Sequence, residues 1–404
     1  MPKKKEKEVG FLTMGDTVSP TKEIPKLGVG MLGYAFMGKA HSHAYKTMSY
    51  IYWPPPGIPR LVAISGRREK RVAEAARRFG YEKYYTDWHK MLKDDKVELF
   101  DNGAPNDMHM EPCIEAAEAG KPIWCEKPLG RNTGEAKEML KAVDKAGVKN
   151  MVSFNARFLP AIGLAKQLID EGRIGKVYHF RGQYLQEWIL PHQNTPLVWR
   201  LDGDVAGSGS LGDLAAHTID LGRYLVGEYK SVMASTKTMI KERSLPDDPK
   251  KKGKVTVDDA VEAVVEFKNG AIGTIEASRM CSGRKNHETI EINGKKGSIY
   301  FDMEDMNRLK VNLIDDRKKG VEGFHDVIVT EASHPNFDVW WPHGHIIGWG
   351  ATFVHEARQI VDAVVNDRGV GPQGATFEDG YKCNLICDAM VESARSGKKV
   401  SIKS

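Results

Sequence analysis

The sequence predicts two domains of different fold class: an α/β domain with a doubly wound parallel sheet, then an α+β domain with a largely antiparallel open sheet and helices on one face. The first prediction rests on buried apolar runs that alternate with helical patterns between residues 26 and 150. The second rests on two-residue alternation and Asn-Gly turn sequences after residue 150. A chain of 404 residues is also longer than one compact core usually fills.

The α/β domain opens with a buried strand that runs into a glycine-rich turn and a helix. Residues 33–38, GYAFMG, match G-x-G-x-x-G except that alanine replaces the middle glycine. Gly33 would permit the tight turn, Ala35 stands where the backbone approaches a pyrophosphate, and Gly38 lets the helix pack closely on the strand. The phosphates would bind free N–H groups at the start of the helix. The pattern predicts a Rossmann dinucleotide site with contacts from Gly33, Tyr34, Ala35, Phe36 and Met37.

Strands and helices continue to alternate along this domain. A proline-rich aromatic stretch, residues 52–57, interrupts them and is either an elongated connection or a wall over a substrate pocket. Because helices separate the strands, the strands are expected to be parallel. Helices are predicted at 39–50, 69–79, 110–119 and 133–146, and strands at 27–32, 61–64, 97–100, 122–125 and 150–154.

Beyond residue 154 the pattern changes to the two-residue alternation of antiparallel strands. Asn269-Gly270 and Asn293-Gly294 each favour a hairpin turn between two such runs. A sheet with helices on one face needs cover on the other, so we expect a homodimer or homotetramer packed sheet to sheet. Strands are predicted at 261–267, 271–277, 289–292, 298–301, 309–313 and 327–330, and helices at 161–171 and 212–225.

This change of pattern divides the chain. Residues 26–150 form the predicted dinucleotide-binding domain, and 151–404 the substrate-binding and oligomerisation domain. Residues 1–25 precede them as a basic arm, whose lysine run is typical of disordered or extended chain. The net charge of +5 is small and no apolar run reaches the length of a membrane span. Neither nucleic acid nor a membrane is therefore expected as a partner.

Candidate metal ligands are sparse in the sequence. His41 with His43, and His343 with His345, form H-x-H pairs, but no matching cluster of acids or cysteines accompanies them. The five cysteines lack zinc spacing and are too few for a disulfide scaffold. No metal site is predicted, and a reducing, cytoplasmic setting is expected.

The end of the second predicted strand is where the adenosine ribose should bind. An NAD site usually offers an acidic side chain to the ribose there, whereas an NADP site offers arginine to the 2′-phosphate. This sequence has Ser65-Gly66-Arg67 and no acid. Arginine pairs well with phosphate but also stacks on adenine, so the motif leaves both cofactors open. We take NAD as the cofactor, with NADP as the alternative, and expect contacts from Ser65, Gly66 and Arg67.

Three side chains suited to alcohol oxidation are predicted to meet beside the cofactor. Lys127 directly follows a buried strand, between Glu126 and Pro128. Asp213 and His217 are four residues apart in a predicted helix and would lie on one face, as a capped surface pair also would. Oxidation needs a base for the hydroxyl proton, and histidine, with a pKa near ~6.5, suits that task. Lys127 would stabilise the alkoxide, and Asp213 would orient the ring or bind a neighbouring hydroxyl.

Four motifs in order resemble the Gfo/Idh/MocA oxidoreductases. The resemblance covers residues 26–404. Two positions depart from the family pattern: Ala35 replaces a glycine of the turn, and Ala156 stands where an aromatic residue is common, which would reshape the pocket. The motifs are the glycine turn followed by His41, the element Ala104-Pro105-Asn106-x-x-His109, the corner Glu126-Lys127-Pro128, and Asp213 with His217.

The resemblance, strongest to sugar 3-dehydrogenases of that family, implies NAD(P)-linked oxidation of a secondary hydroxyl, commonly at C3, to a keto sugar. The substrate would be a pyranose or an anhydrosugar such as levoglucosan, with His217 as the base beside Lys127 and Asp213. An inositol dehydrogenase or a keto-sugar reductase would use the same residues, and a non-catalytic dinucleotide-sensing protein is the alternative of another class. The implied cofactor contacts are Ala104, Pro105, Asn106, His109, Glu126, Lys127 and Asn155, and the substrate contacts are Asn155, Arg157, Gln186, Trp199, Asp213 and His217.

Overall fold

The computed structural model of the protein describes Pro20 and residues 23–403. Most of the predicted basic arm, residues 1–25, lies outside the described residues. Within the described part, no helix is long and apolar enough to cross a membrane.

The N-terminal part of the chain alternates strands and helices, as the sequence predicts. The predicted connection after residue 79 contains a three-residue edge strand and a one-turn helix, both too short to produce a periodic pattern. The strands are β1 (Lys26–Leu32), β2 (Ile58–Ser65), β3 (Lys83–Tyr85), β4 (Leu99–Asn102), β5 (Ile123–Cys125) and β6 (Asn150–Val152). The helices are α1 (Phe36–Ile51), α2 (Glu69–Phe79), α3 (Trp88–Leu92), α4 (Met110–Glu118) and α5 (Thr133–Ala146).

These six strands form one sheet in the order β3-β2-β1-β4-β5-β6, and every pair is parallel. The predicted doubly wound sheet is therefore confirmed. The strand order reverses between β1 and β4, where Leu32 of β1 pairs with Asn102 of β4. In open α/β sheets ligands bind beyond the carboxyl ends of the strands at such a reversal.

The second part of the chain forms a nine-stranded sheet in the order β16-β15-β14-β13-β7-β12-β11-β8-β17, and a separate two-stranded sheet, β9 with β10. Within the described strands of the nine-stranded sheet, β12 and β7 form the only parallel pair, so the predicted, largely antiparallel character is confirmed. The strands are β7 (Val177–Leu185), β8 (Tyr229–Lys237), β9 (Glu242–Ser244), β10 (Lys252–Lys254), β11 (Ala260–Phe267), β12 (Ile272–Ser278), β13 (His287–Gly294), β14 (Gly297–Asp302), β15 (Arg308–Leu313), β16 (His325–Ile328) and β17 (Val400–Ser401). The helices are α6 (Pro160–Asp170), α7 (Gly203–Ala206), α8 (Ala216–Leu225), α9 (Gly350–Val365) and α10 (Phe377–Ser396).

Helices cover one face of this large sheet. Helix α10 packs on β8 and α8 packs on β7. On β7, β8, β11 and β12 four large apolar side chains are about half exposed, and two of them, Val264 and Met233, lie directly opposite each other on β11 and β8. The four are Tyr178, Met233, Val264 and Ile272.

Helix α9 returns from the second part of the chain to the parallel sheet. It packs on α1, and its side chains Phe353 and Val361 share a core with Val29 and Met48. Strand β6 also crosses the predicted domain boundary at residue 150. The division at that residue stays a prediction.

Glycines make the turn after β1 possible. Gly33 has φ +99°, a backbone conformation that residues with a side chain rarely adopt, and a Cβ there would lie 2.7 Å from the carbonyl oxygen of Gly103. A Cβ at Gly38 would lie 2.2 Å from the carbonyl oxygen of Gly33. The turn and the start of α1 therefore depend on two backbone approaches that no side chain tolerates.

We expect Gly38→Ala to lower the free energy of unfolding by about 1–3 kcal/mol, because the backbone of the turn must shift to admit the methyl group. Alanine is the better helix former by about 1 kcal/mol, but the cost of shifting the backbone should exceed this gain. Urea denaturation followed by circular dichroism measures the change. Gly369→Ala is the control, since a Cβ at Gly369 meets no atom within 4 Å. Equal stability of Gly38→Ala and the unchanged protein would contradict this account of the turn.

Candidate active site

A cavity of about 600 Å³ opens at the carboxyl ends of the parallel strands, between the two sheets. Residues after β1, β4 and β5 form one side, and residues of β7, β13 and the segment before α8 form the other. Seven predicted site residues do not line it: Gly33, Tyr34, Ser65, Gly66, Arg67, His109 and Arg157. The cavity is lined by the predicted residues Ala35, Phe36, Met37, Ala104, Pro105, Asn106, Glu126, Lys127, Asn155, Gln186, Trp199, Asp213 and His217.

The start of α1 fits a bound pyrophosphate. Helix α1 begins after Ala35 without a side-chain cap, so N–H groups of its first turn are open to an anion. Ala35 has φ −81°, so this position does not need the positive φ that favours glycine. Because Ala35, Phe36 and Met37 all line the cavity, the replacement of the middle glycine leaves this cradle accessible.

The predicted ribose contacts lie beside the turn and outside the cavity. The Ser65 carbonyl accepts a hydrogen bond from the Gly33 N–H at 3.0 Å. A Cβ at Gly66 would lie 2.2 Å from the Tyr34 ring, so this glycine allows the ring to pack on the end of β2. Arg67 is exposed. These residues support the turn and leave one cation at the end expected for the adenosine.

Lys127 and Asp213 meet across the cavity. The Lys127 Nζ donates to the Asp213 carbonyl oxygen at 2.6 Å and to Asp213 Oδ1 at 3.3 Å. Arg279 Nη2 donates to Asp213 Oδ2 at 3.0 Å, and Arg200 Nε lies 4.0 Å from Oδ1. Burial alone would raise the pKa of the Asp213 carboxyl, but the three cations outweigh burial and hold it well below its usual range. Asp213 is therefore ionised.

The segment that carries Asp213 is not the regular helix that the sequence predicts. Residues Leu211–Ala215 form a π-helix, and the α-helical hydrogen bonding begins only with α8. Asp258 accepts hydrogen bonds from the Gly209 N–H at 2.7 Å and the Leu211 N–H at 2.9 Å, so it caps the start of this segment. Single π turns are frequent at functional sites. The wider turn leaves Asp213 directed at the cations, and the described hydrogen bonds do not join it to His217.

His217 is a buried imidazole at the cavity wall. Its Nδ1 is inaccessible to solvent and has no hydrogen-bond partner among the described residues. The ring packs between Tyr184, with centroids 5.6 Å apart, and Phe154, at 6.2 Å. Burial disfavours the imidazolium and the Lys127 ammonium repels it, so the pKa of His217 lies well below its usual value. At neutral pH the cavity thus presents a neutral base beside an ammonium group.

A buried hydrogen-bond network of His41, Asp101 and Glu126 supports the backbone of Lys127. His41 Nδ1 lies 2.9 Å from Asp101 Oδ1, and His41 Nε2 lies 3.0 Å from Glu126 Oε1. The other Glu126 oxygen accepts from the Lys127 backbone N–H at 3.1 Å. Burial lowers the pKa of His41, but Asp101 and Glu126 outweigh it and raise that pKa to about 10. One histidine of the H-x-H pair therefore serves as a buried cation between two carboxylates.

His109 supports the same region from the backbone side. Its ring nitrogens lie 2.9 Å from the Pro128 carbonyl oxygen and 3.1 Å from the Ala104 carbonyl oxygen. The side chain is fully buried behind the cavity wall. It therefore joins the turn after β4 to the corner after β5, where the resemblance implies a direct cofactor contact.

Arg157 does not reach the cavity, in contrast to the substrate contact that the resemblance implies. Its Nε and Nη2 donate to the two Asp220 oxygens at 2.7 and 2.6 Å, and its Nη1 lies 3.7 Å from Asp379. The Arg157 side chain is 3% exposed and the Asp220 side chain 1%. This geometry is that of a buried structural ion pair, which local sequence cannot distinguish from a ligand contact.

The cavity contains residues that the sequence analysis does not identify. Trp349 stacks on Phe36, with ring centroids 5.5 Å apart and planes at 5°. Tyr184 and Glu288 lie opposite each other on β7 and β13, more than one hundred positions apart in sequence. Only the register of the second sheet could have shown that these two residues meet. The sequence analysis does not predict strand β7, so it could not use that register. The cavity-lining residues not predicted include Tyr184, Trp188, Arg279, Lys285, Asn286, Glu288, Met303, Trp349 and Phe353.

Comparison with known families identifies both parts of the chain. The family described as "Oxidoreductase family, NAD-binding Rossmann fold" matches residues 27–154. The family described as "GFO/IDH/MocA C-terminal domain" matches residues 162–300. Together the two matches cover most of the described chain.

Curated relatives and solved structures give the same grouping. Levoglucosan dehydrogenase of Pseudarthrobacter phenanthrenivorans is 43% identical over 390 residues, which are 93% of this chain and 98% of that protein. Myo-inositol 2-dehydrogenase of Thermotoga maritima is 30% identical over 68% of this chain and 75% of that protein. A structure of levoglucosan dehydrogenase with NADH and levoglucosan aligns with a TM-score of 0.89 and 44% identity, over 94% of this chain and 100% of that one.

The Arg157–Asp220 pair can be tested by stability. Arg157→Met should lower the free energy of unfolding by about 3–5 kcal/mol, because the buried Asp220 loses its partner. Arg181→Met is the matched control, since Arg181 pairs with Glu291 on the exposed sheet face and its loss should cost ~0–1 kcal/mol. Urea denaturation of both variants measures the difference. A stable Arg157→Met variant with a raised substrate KM would instead support Arg157 as a substrate contact.

Proposed function

The chain belongs to the Gfo/Idh/MocA oxidoreductase family, and on that premise we propose that it oxidises the C3 hydroxyl of a pyranose or an anhydrosugar, such as levoglucosan, to the keto sugar. It is an NAD-dependent oxidoreductase that acts on sugar or polyol hydroxyl groups. The finer proposal is carried by one observation: Lys127, ionised Asp213 and neutral His217 share a cavity at the strand-order reversal.

His217 is the proposed base. In alcohol oxidation the hydroxyl oxygen loses a proton while hydride leaves the carbon that carries it. An unprotonated base must therefore be positioned to accept the proton. Burial and the Lys127 charge keep the imidazole unprotonated in the free enzyme. The Asp213 carboxylate acts in the opposite direction and raises the pKa of His217, which stabilises the imidazolium that forms. His217 thus takes the proton from the substrate oxygen.

Lys127 is the proposed electrostatic partner of that oxygen. An ammonium group that is already oriented stabilises a developing alkoxide without reorganisation. The two hydrogen bonds to Asp213 fix the direction of Nζ, and the Glu126 corner fixes the backbone of Lys127. Asp213 therefore acts by holding the cation and by balancing its charge.

The cofactor is NAD. Bound NAD supplies the acceptor for the hydride. Ala35, Phe36 and Met37 at the start of α1 would hold its pyrophosphate, and Glu126 and Asn155 lie on the cavity side where its nicotinamide end would bind.

The proposed sugar pocket lies opposite the cofactor side. Trp199 lines the cavity with Arg200 stacked over its ring at 4.3 Å, which fixes a flat apolar wall for a pyranose face. Gln186 adds an amide group there, and Asn155 adds one from the cofactor side of the cavity. The half-exposed apolar residues of the second sheet support the proposal of a homodimer or homotetramer packed through that face.

A substrate panel tests the proposed reaction. We expect levoglucosan or a related pyranose to be oxidised with NAD, with the 3-keto product identified by NMR, and weaker turnover with NADP. His217→Asn should lower kcat by ~10²–10⁴, the usual contribution of a general base. Lys127→Met should cause a comparable loss, and both variants should still bind NADH. The matched controls are His43→Asn, on the exposed side of α1, and Lys149→Met, whose partly exposed side chain pairs with the exposed Asp367.

Other results of the panel would favour the alternatives. Oxidation of myo-inositol with no pyranose accepted would support the inositol dehydrogenase alternative. Tight dinucleotide binding without turnover of any sugar or polyol would support a dinucleotide-sensing protein. Full activity of His217→Asn and Lys127→Met would refute the assignment of the base and its partner.

The pH dependence follows from the lowered pKa of His217. Since the group stays neutral well below its usual pKa, kcat/KM for sugar oxidation should not fall as pH decreases through about 6.5, and the acid limb should lie lower. In Lys127→Met the repulsion is absent, so the pKa of His217 rises and the acid limb of the residual activity should move to higher pH. Profiles of kcat/KM from acid to neutral pH measure both. An acid limb at the same pH in the two proteins would contradict this electrostatic account.

A further inference from the structure

One carboxyl group in the cavity has an oxygen without a hydrogen-bond partner in the described part of the chain. Glu288 on β13 lies opposite Tyr184 of β7, lines the cavity together with Lys127 and His217, and is 1% exposed. Its Oε1 is inaccessible to solvent and takes part in no hydrogen bond with any described residue. Buried side-chain oxygens in native proteins are nearly always hydrogen-bonded. Such an exception in a ligand cavity points to a ligand group as the missing partner.

The neighbouring polar groups are already paired with protein atoms. Tyr184 Oη and Gln186 Nε2 both donate to Asn286 Oδ1, at 2.7 and 2.9 Å. Asn155 Nδ2 donates to Thr352 Oγ1 at 2.9 Å. Glu288 therefore differs from the amides beside it, because one of its oxygens has no hydrogen-bond partner among the described residues.

We propose that Glu288 is a substrate-binding residue that determines specificity: its carboxyl group hydrogen-bonds a second hydroxyl of the sugar, other than the one that is oxidised. This assignment rests on the proposed function of the cavity. It adds a contact that the motifs of the sequence do not indicate.

The surroundings of Glu288 keep its proton in place. Burial raises the pKa of its carboxyl to about 8, with Lys127 opposing the rise and Asp220 of α8 adding to it. Tyr184 of β7 is the other titratable group that interacts with it, and Asp213 and His217 line the same cavity. Within the described chain Glu288 forms no ion pair, whereas Asp213 contacts three cations. Two acids of one cavity thus hold different protonation states.

A neutral carboxyl group matches a sugar hydroxyl chemically. It offers one O–H donor and acceptor oxygens, and a hydroxyl offers the same two functions. An ionised carboxylate would only accept and would also repel the alkoxide that forms at the reacting carbon. A substrate that lacks the second hydroxyl would leave the Glu288 carboxyl unpaired in the complex, which penalises binding.

Two variants of Glu288 test this contact, with levoglucosan and its 2-deoxy and 4-deoxy analogues as probes. Glu288→Leu removes both hydrogen-bonding functions and should raise KM about 10- to 100-fold, with a much smaller effect on kcat. Glu288→Gln keeps a donor and an acceptor and should remain within a few-fold of the unchanged enzyme. The unchanged enzyme should reject one deoxy analogue by a similar factor, and Glu288→Leu should accept that analogue and levoglucosan about equally.

The alkaline pH dependence gives a second readout. KM of the unchanged enzyme should rise as pH increases through about 8, because the Glu288 carboxyl loses its donor proton above its raised pKa. Glu288→Gln cannot titrate, so its KM should stay flat over that range. If Glu288 had only a structural role, another group would cause the rise in KM, and KM of the glutamine variant would still increase with pH.

The outcomes separate this proposal from the proposed function. If the unchanged enzyme oxidises no sugar or polyol, the proposed function and the assignment of Glu288 fall together. If it oxidises levoglucosan while Glu288→Leu keeps its KM and its discrimination against both deoxy analogues, only the Glu288 contact is refuted. A loss in Glu288→Gln equal to that in Glu288→Leu also refutes it. Should Glu288→Leu fail to fold, the pH profile of Glu288→Gln decides alone.

Discussion

The ionic contact of Asp213 with Lys127 and Arg279 is the interaction on which the site depends. Lys127 follows β5 of the parallel sheet, Asp213 belongs to the π-helical turn, and Arg279 follows β12 of the second sheet. One carboxylate therefore joins three segments that are distant in sequence. Arg279 is fully buried and also donates to the Gly209 and Arg200 carbonyl oxygens, so the contact fixes backbone as well as charge.

The cavity separates its titratable groups by environment. Asp213 is ionised because cations surround it, whereas burial without an ion pair favours the protonated form of Glu288. His217 stays neutral because burial and an ammonium group both disfavour its charged form. Different neighbours thus give two carboxyl groups and one imidazole different protonation states at the same pH, which is a common route to acid–base chemistry near neutrality.

Buried side chains of the two sheets belong to one hydrophobic core. Helix α9 follows the second sheet in sequence but packs with α1 against the parallel strands. Phe353 of α9 lines the cavity, and Trp349, just before α9, stacks on Phe36 at the start of α1. The wall beside the cofactor turn is therefore built from both ends of the chain, which limits how far the cavity can open without exposing apolar surface.

The sequence by itself determined the alternation of the longer strands and helices around the parallel sheet, the glycine turn, and the identity of Lys127, Asp213 and His217 as residues worth testing. These features are local: periodicity, a turn that only glycine permits, and residues directly after a buried strand. The tertiary structure alone decided that Arg157 pairs with Asp220, that His109 supports the backbone, and that Glu288 faces the cavity unpaired. Each of these depends on register or packing between segments far apart in the chain, and no local pattern encodes which buried charge will find a partner.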